Sequence, residues 1–401
     1  MSAHSDAMFA SAALDRCPLM PTYAAPTVQF VRGEGSWLFD VAGKRYLDLL
    51  SGLAVTSLGH AHPEVAAVIA EQASTLLHVS NLFGNEHQGP LASTIDELLG
   101  GGGQVFFSNS GAEANECAIK LARKHAGASM GRFNVVCAYG SFHGRTLATL
   151  HATGQPTKWE AFQPLPEGFR HAAWCDLVDL ERQLDDTVAA VLLEVVQGEG
   201  GVNVATTEYF TEVRRLCDER SILLMVDEVQ TGLGRTGEWF AFQHVLDGAR
   251  PDVVTLAKAL GNGTPIGACW ARADVAAAFE PGDHGSTYGG QPLAAAAARS
   301  VLSVMQRENV PERARVAGMV ISERVIALPH VRDVRGLGLL LAVELDTEAL
   351  GRDARAINAE LLDLGVVANA ITPTAIRLAP SLLISEGEID HAITILAEVL
   401  T

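Results

Sequence analysis

Short apolar runs recur along the chain, each followed by turn residues and then by helical spacing. Gln104–Phe107, Asn134–Tyr139, Val188–Val196, Ile222–Val226, Asp252–Leu256 and Ile266–Trp270 are predicted as strands. Their apolarity is near-continuous rather than strictly alternating, as in strands that helices cover on both faces. Between them, Ala112–His125 and Thr207–Arg220 carry amphipathic helical spacing. Repeated strand-then-helix units imply a mostly parallel sheet with right-handed crossovers. From Pro292 the pattern changes to an Ala-rich helix, Leu293–Gln306, suited to a connector. Strand signals then thin out to Val331–Glu344, Val366–Ala370 and Ala375–Ala379 among several helices. The chain therefore reads as a large α/β domain followed by a smaller α+β C-terminal domain.

Composition agrees and excludes several partners. A length of 401 residues suits two domains, and 48% hydrophobic with 19% charged residues excludes wholesale disorder. With 47 Asp+Glu against 29 Lys+Arg, the formal net charge is −18. That charge argues against nucleic acid or an anionic membrane as the main partner, since both demand basic patches. It leaves room for a local basic pocket around one small anion. The 38 glycines exceed the usual share of ~7% and point to tight turns or close approaches to a ligand. Six scattered cysteines, Cys17 among them, contain no C-x-x-C pair, so neither a disulfide framework nor a zinc site is expected. Gly59-His-Ala-His-Pro63 lacks a third ligand type and reads as a structural loop; no metal is expected. Met1–Met20 lacks the pattern of a secretory signal, and the strongest apolar run, Val188–Val196, is broken by Glu194. A soluble, reduced, cytoplasmic protein is the expectation.

In open α/β sheets, ligands bind beyond the carboxyl ends of the strands, and there the unusual residues gather. Ser108-Asn-Ser-Gly-Ala-Glu-Ala-Asn115 leads from a predicted strand straight into a helix. Small residues and free helix N–H groups make this a candidate phosphate site; a plain capped turn is the alternative. Asp227-Glu228 ends a buried strand, and a buried carboxylate needs a salt bridge or a cationic ligand. Lys258 follows another strand and precedes Gly261-Asn-Gly263. An enclosed lysine has its pKa lowered, which favours attack on an aldehyde; a surface lysine is the alternative. Together, an anion cradle, a strand-end aspartate and a strand-end lysine are what pyridoxal 5′-phosphate (PLP) requires.

The motifs Asn109-Ser-Gly-Ala-Glu-Ala-Asn115, Phe142-His-Gly-Arg145, Gln197-Gly-Glu-Gly-Gly201, Asp227-Glu-Val-Gln230, Gly234-Arg-Thr-Gly237, the Lys258 segment and Gly285-Ser-Thr-Tyr-Gly-Gly290 resemble, in order, those of class III aminotransferases. The resemblance runs from Tyr23 to Leu382 and implies a fold-type I PLP enzyme working as a homodimer with shared active sites. It implies a division into 1–60, an N-terminal segment packing with the small domain, 61–292, the PLP-binding domain, and 293–401, the small domain. It assigns Lys258 as the lysine that bonds to the cofactor and shuttles the proton, and Asp227 as the partner of the pyridinium nitrogen. Gln230 would approach the ring oxygen, while Phe142 and Val229 would cover the two ring faces. Ser110, Gly111 and Ala112 would hold the phosphate, and Thr287 and Ser286 would reach the neighbouring subunit's phosphate or substrate. Arg145 would grip the donor's α-carboxylate, Arg377 the 2-oxoglutarate or glutamate carboxylate, and Glu199 would pair with Arg377 while the donor is bound.

Two departures stand out. Ala112 replaces a commoner threonine, removing one hydroxyl from the phosphate site, and Ala259-Leu-Gly-Asn-Gly-Thr-Pro265 replaces a more glycine-rich stretch. The segments Ser51–His60 and Leu77–Asn81 resemble the acetylornithine-acting members. They imply transamination of N²-acetylornithine with 2-oxoglutarate to N-acetylglutamate 5-semialdehyde and glutamate, as in arginine biosynthesis. Succinylornithine, ornithine or GABA are the alternative donors, since a methylene changes discrimination by only ~1–3 kcal/mol. A non-catalytic PLP-fold binding protein is disfavoured by the presence of Lys258. An NAD-dependent oxidoreductase is disfavoured because no G-x-G-x-x-G follows the first predicted strand.

Overall fold

The computed structural model describes residues 18–401; Cys17 and most of Met1–Met20 lie outside the described residues. Its centre is a seven-stranded sheet in the order Gly103–Ser108, Gly267–Arg272, Val253–Leu256, Leu223–Asp227, Val188–Leu193, Asn134–Ala138, Phe169–Ala172. The five strands from Val253–Leu256 outward to Phe169–Ala172 run parallel. Gly267–Arg272 is antiparallel to both of its neighbours, so the sheet is mixed at that edge.

Each central strand buries both faces, which explains the continuous apolar runs. Val135, Cys137, Ala190, Leu192, Leu223, Met225 and Val253 share one core with Ala118, Ile119 and Ala122 of the helix Gly111–Ala126. The alternate residues Val136, Val191, Leu193, Leu224, Val226 and Val254 enter the second core. Side chains with a period of two on a sheet covered twice give this division. The helix Thr207–Arg220 begins at the N-cap Thr206, whose hydroxyl accepts from Tyr209 N, and lends Phe210, Val213 and Cys217 to the second core.

The C-terminal region holds a four-stranded antiparallel sheet in the order Val331–Leu337, Leu340–Leu345, Ala375–Leu378, Asn369–Ala370. The single run expected over Val331–Glu344 is thus a hairpin. It turns at Gly338, whose φ is +53° and where a Cβ would lie 2.4 Å from the Thr236 carbonyl carbon. Only glycine admits that backbone approach. Val366–Ala370 also divides: Val366–Val367 pairs with Arg45–Asp48 in another sheet, and Asn369–Ala370 stays in this one. The run Val188–Val196 stops at Leu193, ahead of Glu194. Three strands, Phe30–Glu34, Trp37–Asp40 and Arg45–Asp48, form an N-terminal meander not expected from the pattern, because most of it is only partly buried. Arg235 ties these parts together. Its buried guanidinium donates to the carbonyls of Leu339 and Pro380 and to Ser57 Oγ. Among the described residues, no helix is long and apolar enough to cross a membrane.

Candidate active site

Beyond the carboxyl ends of the parallel strands lies a cavity of about 380 Å³. Ser110, Gly111, Ala112, Phe142, Arg145, Glu199, Asp227, Val229, Gln230 and Lys258 all line it. Residues from separate stretches of the chain therefore converge, as the strand-end rule requires.

One wall is the start of the helix Gly111–Ala126. Ser110 is the N-cap, and its Oγ accepts from Glu113 N at 3.2 Å. Glu113 in turn accepts from Asn109 N and Nδ2, each at 2.7 Å. The amides of Gly111 and Ala112 have no acceptor among the described residues. They open on the cavity at the positive end of the helix, so an anion would meet two free donors. Gly111 is required there, since a Cβ would lie 2.7 Å from Val229 Cγ1.

The floor is a polar network around Asp227, which is 4% exposed; within it His143 Nε2 is buried without a partner. Its Oδ2 accepts from Asn115 Nδ2 at 2.7 Å and faces His143 Nδ1 at 2.9 Å. Its Oδ1 accepts from Val229 N at 3.0 Å. Asn115 also donates to the His143 carbonyl and accepts from Thr255 Oγ1, which fixes its amide orientation. Glu228 turns the other way, accepting from Thr231 Oγ1 and from Phe242 N. The adjacent carboxylates are thus not a catalytic pair. Glu194 also lines the cavity, accepting from Phe142 N at 3.1 Å. Burial, then the nearby Asp227 charge, holds its carboxyl well above the usual range.

Lys258 follows the strand Val253–Leu256 with a left-handed φ of +41°. Its amine has no hydrogen-bond acceptor among the described residues. Burial lowers its pKa to about 8, against the opposing pull of Glu199. An aldehyde in this cavity would meet an amine of which a useful fraction is neutral. Gln230 lines the cavity, and its side-chain Oε1 is buried without a partner.

The two arginines expected to meet substrate carboxylates stand in opposite settings. Arg377, on the strand Ala375–Leu378, is 1% exposed. It pairs with Glu199 at 2.6 Å and donates to the Gly198 carbonyl and to Asn369 Oδ1. Burial works to raise the Glu199 pKa, but Arg377, Lys258 and Lys158 outweigh it and hold the carboxyl below its usual value. Arg145 is exposed and makes no ion pair among the described residues; its guanidinium lies 5.6 Å from the Phe142 ring centre.

Ser286 and Thr287 are not in this cavity. They border a separate surface depression of about 950 Å³ with Ser80–Leu82 and Phe107. Ser286 touches the site indirectly, its Oγ accepting from Asn109 Nδ2 at 3.1 Å. Asn115, His143, Thr255 and Glu194 are site residues to which the sequence reading assigned no role. Asn115 and His143 sit inside recognised motifs, but nothing local marked them as partners of Asp227. No group of described residues could hold a metal ion.

The family model for class-III aminotransferases matches residues 20–400. The acetylornithine aminotransferase of Caldanaerobacter subterraneus is 46% identical, over 96% of this chain and 97% of its own length. The acetylornithine aminotransferase of Gloeobacter violaceus is 47% identical over 94% of each chain. In solved structures, the fold matches the ornithine aminotransferase of Toxoplasma gondii with a TM-score of 0.91. That match has 35% identity and covers 98% of this chain and 94% of that one, whose active site is partly occupied by PLP. A fold-type I α/β architecture, an anion cradle, a strand-end carboxylate and an enclosed lysine in one cavity fit that cofactor, and the chain belongs to the class-III aminotransferases, PLP-dependent enzymes that transfer amino groups.

Proposed function

We propose that the protein exchanges the amino group of N²-acetylornithine for the oxo group of 2-oxoglutarate, giving N-acetylglutamate 5-semialdehyde and glutamate. The observation that carries this reading is the contrast between Arg145, which lines the cavity, and Arg377, which is joined to it through the lining residue Glu199. Buried Arg377 is neutralised by Glu199, while Arg145 at the mouth has no counter-ion. The donor's reacting end is a bare methylene-amine, so next to it Arg377 should stay paired with Glu199. Its α-carboxylate lies at the far end, where Arg145 stands free. Glutamate carries a carboxylate beside the reacting carbon, which would displace Glu199 and take the guanidinium fork in two parallel charge-assisted hydrogen bonds. The names of relatives 46–47% identical to this chain support the same donor.

PLP, when bound, supplies the aldehyde and the electron-withdrawing ring. The chain's own residues do the rest. Gly111 and Ala112 would hold the phosphate with backbone N–H groups, with the Ser110 hydroxyl beside them. Asp227, oriented by Asn115 and His143, would hold a proton at the ring nitrogen. Phe142 and Val229 would cover the ring, Gln230 would meet its oxygen, and the Lys258 amine would take and return the substrate's proton. General acid–base transfer of this kind contributes ~10²–10⁴-fold.

A homodimer with shared sites belongs to the same proposal. Leu82, Phe83 and Tyr288 are large apolar side chains left mostly exposed beside Ser286 and Thr287. A second copy covering that edge would bring Ser286 and Thr287 to the partner's phosphate. The division at residues 60 and 292, and a cytoplasmic location consistent with the free Cys117, Cys137, Cys175, Cys217 and Cys269, complete the reading.

The test is half-reaction spectroscopy. Acetylornithine, succinylornithine, ornithine and GABA are mixed separately with the PLP form, and conversion of the cofactor to its amine form is timed. Acetylornithine should react fastest; a faster ornithine or GABA would overturn the donor assignment.

A further inference from the structure

Lys158 is a second cation beside the substrate cavity. It ends the short turn Pro156–Lys158, which follows the helix Leu147–Ala152. Its amine lies 5.0 Å from the Phe142 ring centre, and the Arg145 guanidinium lies 5.6 Å from the same ring. Lysines with no task extend their heads into water. This one is half-buried against an aromatic face and has no hydrogen-bond or ion-pair partner among the described residues.

The turn is stapled to the loop that carries Phe142 and Arg145. Gln155 Nε2 donates to the Ser141 carbonyl at 2.9 Å, Gly154 N to Ser141 Oγ at 3.0 Å, and His143 N to Thr153 Oγ1 at 2.9 Å. Trp159 Nε1 locks the turn itself by donating to the Thr153 carbonyl at 3.0 Å. The two cations therefore project from segments that are tied to each other. Their charges act on the site: burial lowers the Lys158 pKa, Glu199 pulls it back up and Arg145 pushes it down, while Lys158 in turn helps to stabilise the Glu199 carboxylate. Two cations beside one aromatic ring, neither with an ion-pair partner among the described residues, constitute a site for an anion.

We propose that Lys158 and Arg145 form a two-cation clamp for the α-carboxylate of the acylated amino donor, with Lys158 setting preference for donors that carry that group. This rests on the donor reading above. Arg145 offers the planar fork and Lys158 a point charge from the Phe142 side, so a carboxylate between them gains two charge-assisted contacts.

The experiment uses the PLP-loaded enzyme and its K158M and K158R variants. N-acetylnorvaline keeps the α-carboxylate and acetamido group but lacks the reacting amine, and its dissociation constant is read by calorimetry. In parallel, KM is measured for acetylornithine and for acetylputrescine, the same donor without its carboxylate. K158M should weaken N-acetylnorvaline about tenfold and raise the KM ratio of acetylornithine to acetylputrescine about tenfold. K158R should recover most of both. Unchanged N-acetylnorvaline binding, or equal losses for the two donors, would overturn the clamp. Should K158M misfold, K158Q replaces it. If the wild type prefers a different donor, the donor reading falls, and the clamp is judged on that donor against its own decarboxylated analogue by the same ratio.

Discussion

The floor of the cavity and its mouth are built on different terms. On the floor, Asp227 is enclosed by Asn115, His143 and the Val229 amide, and each contact is backed by another. At the mouth, Arg145 and Lys158 are exposed or half-buried and share only the Phe142 ring. In the proposed reading, floor groups serve a cofactor that stays, so their partners can be permanent. Mouth groups would serve substrates that come and go, so a permanent counter-ion would compete with the ligand. Arg377 lies between these cases: buried like the floor, yet paired with a carboxylate whose side chain is 30% exposed and has room to leave. Preorganised polarity belongs where charge develops in the reaction; unsatisfied charge belongs where a substrate supplies the missing partner.

The sharpest break in that comparison is Lys258→Ala. The variant should lose the visible colour of the cofactor bond and at least ~10⁴-fold in kcat, with the fold retained by circular dichroism. A variant that still became covalently linked to PLP on borohydride reduction would remove Lys258 from the chemistry. Asp227→Asn should come next. It keeps the size and some hydrogen bonds but removes the charge, and kcat for both half-reactions should fall ~10²–10³-fold together. A loss confined to one half-reaction would show that Asp227 serves a substrate rather than the ring. Arg145→Ala tests the mouth. KM for acetylornithine should rise on the order of 30-fold, while the cofactor spectrum stays that of the wild type. Unchanged donor kinetics would remove Arg145 from recognition.

The smallest effect is a pH dependence. The neutral amine is the form that attacks an aldehyde, and burial brings the Lys258 pKa down to about 8. PLP uptake by the cofactor-free protein should therefore quicken about tenfold per pH unit below that value and level off above it. A rate still climbing steeply towards the ordinary lysine value would mean that the amine is not enclosed in solution.

These residues differ in how legible they were. Lys258, Asp227 and Ser110–Ala112 were visible because each breaks a local pattern at the end of an apolar strand. Asn115 and His143 were not assigned, because their role is set by a partner distant in the chain; Asn115 meets Asp227 across 112 positions. Glu194 was noticed only as the residue that interrupts an apolar run, and its turn into the cavity depends on the Phe142 amide beside it. Six of the seven strands of the large sheet were readable from their apolar runs; the edge strand Phe169–Ala172, only partly buried, was not. The antiparallel placement of Gly267–Arg272 and the N-terminal meander were not either. An edge reversal leaves no trace in hydrophobic periodicity, and half-exposed strands carry a weak one.

The left-handed backbone at Lys258 has a consequence of its own. A residue with a Cβ in that region gives up roughly 1–2 kcal/mol that glycine would not. A chain tuned for stability alone would place glycine there and gain by it. The fold instead holds conformational strain at the position whose side chain is proposed to bond the cofactor, fixing the direction in which the amine leaves the backbone. Thermal resilience and catalytic competence are therefore in direct competition at residue 258, and the sequence settles that competition in favour of the reaction.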